Sequence, residues 1–143
     1  MRGLIYMVIL FTPLYFSAYG QPSDSVKYLS LEPYDFHLQY LRTDSALLID
    51  VREPFEFRGK RIHGAINIPS SGNIEKAADT LNRDLTYFLY CTTDYRSRNV
   101  ADMLYDKGFR KLIILDGGIV AWRKDGEKVD KWRIKRKGIN EKG

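Results

Sequence analysis

The chain has 143 residues, of which 44% are hydrophobic and 29% are charged, close to the averages for soluble globular domains. This composition excludes a disordered chain, a collagen-like repeat and an architecture of several domains. A single cysteine excludes an internal disulfide, and with two histidines it leaves too few ligands for a structural zinc site, so we expect no metal and no cofactor. The net charge of +5 lies in residues 123–143, which hold nine Lys or Arg against four Asp or Glu. Because the rest of the chain sums to zero, we do not expect nucleic acid as a partner.

Residues 1–20 have the pattern of a cleaved export signal. Arg2 precedes an apolar run of about thirteen residues, Leu4–Phe16, and the small residues Ala18 and Gly20 stand at the two positions that define a cleavage site. An uncleaved membrane anchor is the alternative, but a spanning helix needs about 20 apolar residues. We therefore expect a periplasmic or secreted protein that begins at Gln21.

Apolar patterning then predicts alternating strands and helices. In chain order these are a strand at Val26–Leu29, a helix at Pro33–Leu41, a strand at Ala46–Val51, a helical turn at Pro54–Arg58, a strand at Ala65–Ile68, a helix at Ile74–Leu81, a strand at Thr86–Tyr90, a helix at Arg96–Lys107, a strand at Leu112–Leu115 and a helix at Gly118–Lys124. In the first helix, Tyr34, Leu38 and Leu41 have the spacing of a buried face. This alternation predicts parallel βαβ units in one small α/β domain, with a sheet covered on both faces.

The only cysteine lies where such a fold binds ligands. Cys91 follows the strand Thr86–Tyr90 and is separated by a short loop from the next helix, and open α/β sheets bind ligands beyond the carboxyl ends of their strands. Loop N–H groups, the helix N-terminus and the Arg96 guanidinium all favour a thiolate, which predicts a Cys91 pKa below the free value of about 8.5. A buried, inert core cysteine is the alternative.

Three stretches in this order resemble the rhodanese-like domain family over Lys27 to Val129. They are Leu48–Arg52 with Glu56-Phe57 and Ile62–Pro69; the loop Cys91–Ser97; and Gly108-Phe109 with Leu115–Ile119 and Ala121-Trp122. The resemblance implies a fold of about five parallel strands with helices on both sides. The domains are accordingly predicted as a signal at 1–20, a rhodanese-like domain at 27–129 and a basic tail at 130–143.

The resemblance also implies sulfur transfer. The cysteine equivalent to Cys91 takes the outer sulfur of a donor such as thiosulfate, becomes a persulfide, and passes that sulfur to cyanide, a thiol or a protein cysteine. The predicted substrate-binding loop consists of Thr92, Thr93, Asp94, Tyr95, Arg96 and Ser97. Four residues separate Cys91 from Arg96, as in sulfurtransferases of the family, whereas phosphatase relatives have five.

Two positions depart from the family pattern. Asp94 stands where glycine is usual, and Arg61 stands where histidine is usual, which leaves His63 as a surface residue. We expect the Asp94 carboxylate to cap the following helix by accepting a backbone N–H from Arg96 or Ser97, the alternative being that it points at the sulfur.

Three carboxylate and guanidinium groups outside the loop are predicted to be structural. Asp50 and Arg52 should form an ion pair near the base of the loop, which Glu56 would join. The pair Gly117-Gly118 follows a strand without a third glycine, so we interpret it as a tight turn and not as a dinucleotide motif.

Functions of other classes remain open. The second hypothesis is a non-catalytic rhodanese-like module that binds a partner or carries a persulfide within a complex. The third is oxyanion reduction or phosphatase activity, against which the short loop and the lack of a second cysteine argue. The tail at 130–143 is interpreted as solvated, with weak contact to an anionic surface as the alternative.

Overall fold

The computed structural model describes residues 26–131. The predicted export signal, its cleavage point near Gly20 and most of the basic tail lie outside these residues, so they stay predictions. In the part of the chain that the structure describes, no helix is both long enough and apolar enough to cross a membrane.

Five strands and five helices alternate along residues 29–124. They are β1 (Leu29–Leu31), α1 (Pro33–Leu41), β2 (Ala46–Asp50), α2 (Pro54–Gly59), β3 (Ile66–Asn67), α3 (Asn73–Ala77), β4 (Thr86–Tyr90), α4 (Tyr95–Asp106), β5 (Leu112–Leu115) and α5 (Gly118–Lys124). Most bounds agree with the prediction to within one or two residues, because buried apolar runs and helix-starting prolines mark them clearly.

The strands form one sheet in the order β1-β5-β4-β2-β3. Every neighbouring pair is parallel, with Leu48 opposite Phe88 and Phe88 opposite Ile113 in the central register. All carboxyl ends therefore lie at one edge, and the helices that connect the strands cover both faces. The predicted α/β fold with a five-stranded parallel sheet is confirmed.

Successive side chains of the central strands bury themselves on opposite faces of this sheet. Ile49 and Leu89 pack on one face in a cluster with Val100 of α4, while Phe88 packs on the other with Phe36 and Trp122. Both faces are closed to water, which explains why these strands have continuous apolar sequences instead of alternating ones. The two clusters hold α4 and α5 in place, and these are the helices that flank the Cys91 loop.

The bounds of two predicted elements were wrong. The first strand is Leu29–Leu31 and not Val26–Leu29, because it pairs with Ile113–Leu115 at the sheet edge, and Val26 is exposed. The predicted helix Ile74–Leu81 ends at Ala77, whose carbonyl accepts hydrogen bonds from the backbone N–H and the hydroxyl of Thr80.

The buried face of α1 also differs from the prediction. Tyr34 and Leu41 are exposed, whereas Pro33 and Phe36 are buried. The Phe36 ring packs edge-on against Phe88, with ring centroids 5.2 Å apart. Two overlapping stripes of apolar residues exist in this helix, and this aromatic contact with the sheet determines which of them faces inward.

Candidate functional site

Cys91 lies at the carboxyl end of β4, at the bottom of a short loop that leads into α4. Its side chain is only 1% exposed, so the sulfur is reached only through the mouth of the loop. The buried hydroxyl oxygen of Ser97, in the first turn of α4, lies 3.8 Å from the Cys91 Sγ and 2.9 Å from the Asp94 carbonyl oxygen. A hydroxyl has one proton, so Ser97 donates to one of these acceptors at a time.

The N-terminus of α5 anchors the loop from outside. The N–H of Ile119 donates to the Cys91 carbonyl at 2.9 Å, and the N–H of Val120 donates to the Thr92 carbonyl at 3.1 Å. In a trans peptide the C=O and the following N–H point in opposite directions. The N–H groups of Thr92 and Thr93 are therefore turned away from α5, towards the interior of the loop.

Gly118 makes this anchoring possible. A Cβ at this position would lie 2.4 Å from the Thr93 carbonyl oxygen and 2.6 Å from the Cys91 carbonyl oxygen, and the φ angle of +57° is also left-handed. Only glycine allows α5 to approach the loop backbone so closely. The prediction of a tight turn at Gly117-Gly118 is correct. The sequence did not indicate that Gly118 also packs against the backbone of the cysteine loop.

The loop offers a group of backbone donors that nothing else in the described protein uses. Among residues 26–131, no hydrogen-bond acceptor pairs with the backbone N–H groups of Thr92, Thr93, Asp94, Tyr95 and Arg96. Successive N–H groups on a loop that opens a helix form a concave site for anions, and the partial positive charge of the helix N-terminus adds to it. The arrangement can stabilise negative charge on or next to the cysteine sulfur.

A cluster of three side chains closes one side of the loop. Arg96 donates to both carboxylate oxygens of Glu56, at 2.8 and 2.9 Å, and to the hydroxyl of Thr92 at 2.8 Å. The Thr92 hydroxyl in turn donates to Glu56 at 2.8 Å. The predicted cation of the loop is therefore paired with a carboxylate from α2, and it also lies close enough to Cys91 to interact with its sulfur electrostatically.

The prediction that Glu56 joins Asp50 and Arg52 was wrong. Glu56 reaches the loop instead because α2 points its first turn towards Thr92, and a bidentate guanidinium is a stronger partner than the already paired Arg52. Hydrogen bonds from Arg96 outweigh the effect of partial burial and, with the bond from Thr92, lower the pKa of Glu56 to about 2. At neutral pH this cluster is a neutral ion pair.

Asp94 pairs with a guanidinium instead of capping α4. It is the N-cap residue of α4, but its side chain makes no capping hydrogen bond, which corrects the predicted orientation. The carboxylate accepts instead from Arg98, at 2.8 Å, and Arg98 also donates to Asp116 at 2.9 Å. The φ angle of Asp94 is −174°, an extended conformation that any residue adopts, so the loop forms without the glycine that is usual in the family.

Asp50 and Arg52 form the predicted ion pair below the loop. Both are buried, the Arg52 Nη2 lies 2.6 Å from an Asp50 carboxylate oxygen, and the same nitrogen donates to the Lys60 carbonyl. The Asn67 amide, a residue without a predicted role, donates to the carbonyls of Asp50 and Arg52 and ties β3 to this corner. These groups contact the fold and not the sulfur, so their role is structural.

The remaining predicted site residues lie at the surface. Thr93 and Tyr95 are exposed at the loop mouth. His63 is also exposed, and its Nδ1 lies 2.9 Å from the carboxylate of Asp130, away from the cysteine. Within the described chain, no three His, Cys, Asp or Glu side chains are arranged to hold a metal ion.

Comparison with known proteins agrees with this geometry. A family model described as Rhodanese-like domain matches residues 35–125. The putative sulfurtransferase YtwF of Bacillus subtilis is 39% identical over 75 residues, which is 52% of this chain and 71% of that protein. The crystal structure of a rhodanese-related protein from Thermoplasma volcanium superposes with a TM-score of 0.64 at 30% identity, covering 72% of this chain and 98% of that one.

Other relatives are longer than the matched region. The uncharacterized protein slr1261 of Synechocystis is 38% identical over 90 residues, which is 62% of this chain and 50% of that protein. The chain thus spans about half of that relative's length. Since the family match covers most of the described residues, the chain belongs to the rhodanese-like domain family.

Proposed function

We propose that this domain is a sulfurtransferase that carries sulfane sulfur as a Cys91 persulfide. The observation that carries the proposal is the set of five unpaired backbone N–H groups, from Thr92 to Arg96, that follow the buried cysteine. The first N–H groups of any helix lack an intrahelical acceptor, and here the N–H groups of the preceding loop add to them directly after the cysteine, a concave arrangement that favours a bound anion. A persulfide anion on Cys91 would place its outer sulfur among them.

Loading would proceed by attack of the Cys91 thiolate on the outer sulfur of the donor. With thiosulfate, the bond between the two donor sulfurs breaks, sulfite leaves with the electron pair, and a new S–S bond forms on Cys91. The loop N–H groups would stabilise the negative charge of the outer sulfur, which costs no reorganisation because α5 and the first turn of α4 already orient them.

Discharge would proceed by attack of an acceptor on that outer sulfur. The acceptor is cyanide, a small thiol or a protein cysteine, and the Cys91 thiolate is the leaving group. One cysteine is sufficient for this cycle because no disulfide has to be resolved, which agrees with the single cysteine of the chain. The cycle needs no metal or cofactor.

Replacement of the nucleophile tests the proposal. Cys91→Ser should abolish sulfur transfer from thiosulfate to cyanide, because a hydroxyl has nearly the same shape but cannot carry a persulfide. The thermal unfolding curve should be close to that of the wild type, which shows that the fold is intact. Wild-type rates in a folded Cys91→Ser protein would refute the mechanism.

A second function is favoured by a specific contact. The charge of the Arg96 guanidinium is balanced by Glu56, which weakens its attraction for a small dianion such as thiosulfate. A persulfide carrier that is loaded by a protein within a complex would not need that attraction. Steady-state kinetics with free thiosulfate and cyanide distinguish the two functions. An enzyme performs many cycles, whereas a carrier receives one sulfur atom from a persulfide donor and shows no steady-state turnover.

We also propose that the protein is exported. The support is the sequence pattern of residues 1–20, which ends in Ala18 and Gly20. Mass spectrometry of the protein from its native cells should find a chain that begins within a few residues of Gln21, in the periplasmic or secreted fraction. Chains that mostly begin at Met1 would contradict cleavage.

A further inference from the structure

A groove opens beside the Cys91 loop, between α2 and α5. It has a volume of about 360 Å³, and Glu56 and Thr92, two members of the cluster that closes the loop, line one side of it. We call it the α2–α5 groove and define it by the side chains of Phe55, Lys60, Val120 and Arg123, which line it together with Arg52, Gly59 and Ile119 and do not belong to the cluster that closes the loop. Anything that lies in this groove is next to the mouth through which the sulfur is reached.

The walls of the α2–α5 groove are apolar and exposed. Phe55 on α2 is 68% exposed, and Val120 on α5 is 49% exposed. Single exposed apolar side chains are ordinary, but two on facing walls of one groove beside a reactive cysteine form a surface that a partner can cover. Val120 is also fixed in position, since its N–H is bonded to the Thr92 carbonyl.

The charge of the groove is positive. Arg52 is neutralised by Asp50, and Glu56 is neutralised by Arg96. The side chains of Lys60 and Arg123 have no hydrogen-bond or ion-pair partner among residues 26–131, so two positive charges in the groove are uncompensated. Apolar walls with uncompensated cations fit a segment that combines apolar and acidic side chains.

We propose that the α2–α5 groove docks an acceptor protein whose thiol lies in an acidic segment with apolar neighbours. The inference rests on the sulfurtransferase function proposed above. The acceptor thiolate attacks the outer sulfur of the Cys91 persulfide, the S–S bond to Cys91 breaks, the acceptor becomes a persulfide, and Cys91 leaves as a thiolate. The proton that the acceptor thiol loses goes to solvent, so sulfur, charge and electrons balance.

Two cysteine peptides of equal length test the proposal. In one, the cysteine is flanked by leucine and glutamate; in the other, lysine replaces each glutamate. Cys91 of the full chain is first converted to its persulfide. The rate of sulfur transfer to each peptide is then followed by the gain in peptide mass, and the rate of transfer to dithiothreitol, a small neutral thiol, is measured for comparison. We expect the acidic peptide to receive sulfur about tenfold faster than the basic peptide at low salt. The difference should shrink as added salt screens the electrostatic attraction.

Charge reversal in the groove should invert this preference. The double variant Lys60→Glu/Arg123→Glu should transfer sulfur faster to the basic peptide than to the acidic one. Phe55→Ala should slow sulfur transfer to the acidic peptide severalfold. In both variants, sulfur transfer to dithiothreitol should stay at the wild-type rate. The matched control is Arg42→Glu/Lys76→Glu, which changes the net charge equally at two exposed residues outside the groove and should keep the wild-type preference.

The outcomes separate the two proposals. Equal rates for both peptides, with normal discharge to dithiothreitol, would overturn the docking site and leave the sulfurtransferase function standing. Failure of the wild type to discharge to dithiothreitol would instead overturn the proposed function. A preference that the control variant inverts as strongly as the groove variant would show that net charge and not the groove selects the partner.

Discussion

The ion pair between Glu56 and Arg96 makes a measurable contribution to stability. Glu56→Gln keeps the shape of the side chain and one acceptor oxygen but removes the negative charge that Arg96 faces at 2.8 Å. The pKa of Glu56 falls from 4.5 to about 2, and a shift of that size corresponds to roughly 3 kcal/mol as an upper limit. The side chains of Arg96 and Glu56 are still 30% and 20% exposed, so screening by water reduces the expected loss to about 1–2 kcal/mol.

The same contribution depends on pH with a defined sign. Because the pKa of Glu56 is lowered on folding, the ion pair stabilises the fold fully above about pH 4.5, and the stabilisation is lost as the pH falls towards 2. Urea unfolding at pH 7 should therefore show the full difference between wild type and Glu56→Gln. At about pH 3 the difference should be less than half as large.

Glu75→Gln is the matched control for this experiment. Glu75 is an exposed glutamate on α3 without an ion-pair partner in the described chain, so its replacement should change the free energy of unfolding by less than about 0.5 kcal/mol. A Glu56→Gln protein as stable as the wild type at pH 7, or a difference that does not shrink in acid, would show that this ion pair does not stabilise the fold.

Two further variants test the loop. Gly118→Ala should lower the free energy of unfolding by about 2–3 kcal/mol and reduce kcat/KM for sulfur transfer, because its Cβ would clash with the loop carbonyls. The control is Gly126→Ala, at a position with a left-handed φ of +86° but with no atom within 4 Å of the added Cβ. It should cost only about 1 kcal/mol and keep the wild-type activity. Equal losses would mean that the contact is unimportant. Asp94→Asn should leave the pH dependence of Cys91 alkylation unchanged, since Arg98 holds the carboxylate away; a downward shift by about one pH unit would show that it faces the sulfur.

The position of the site could be predicted from sequence because it follows from local patterns. The buried run Thr86–Tyr90 identifies a central strand, and the carboxyl end of such a strand is where parallel sheets bind ligands. The order strand, Cys91, loop, helix then places the cysteine without any knowledge of distant contacts. Asp50 and Arg52, two residues apart, could also be paired from sequence alone.

The partners of the loop side chains could not be predicted in the same way. Glu56 and Arg96 are forty residues apart in the chain, and only the packing of α2 against the loop brings them together. The Asp94 carboxylate could accept from the N–H groups of the helix N-terminus or from the Arg98 guanidinium. It pairs with Arg98, because a hydrogen bond from a charged donor is stronger than one from a neutral N–H. Composition and spacing contain no information that decides between such competing partners.

The intact mass of the purified protein shows whether Cys91 carries a sulfane sulfur. The wild-type chain is treated with thiosulfate or a small persulfide, freed of excess donor and weighed under non-reducing conditions, with Cys91→Ser treated in parallel. We expect the wild type to gain the mass of one sulfur atom, cyanide or a thiol to remove it, and Cys91→Ser to gain nothing. An unchanged wild-type mass with both donors, or an equal gain in Cys91→Ser, would contradict the persulfide mechanism.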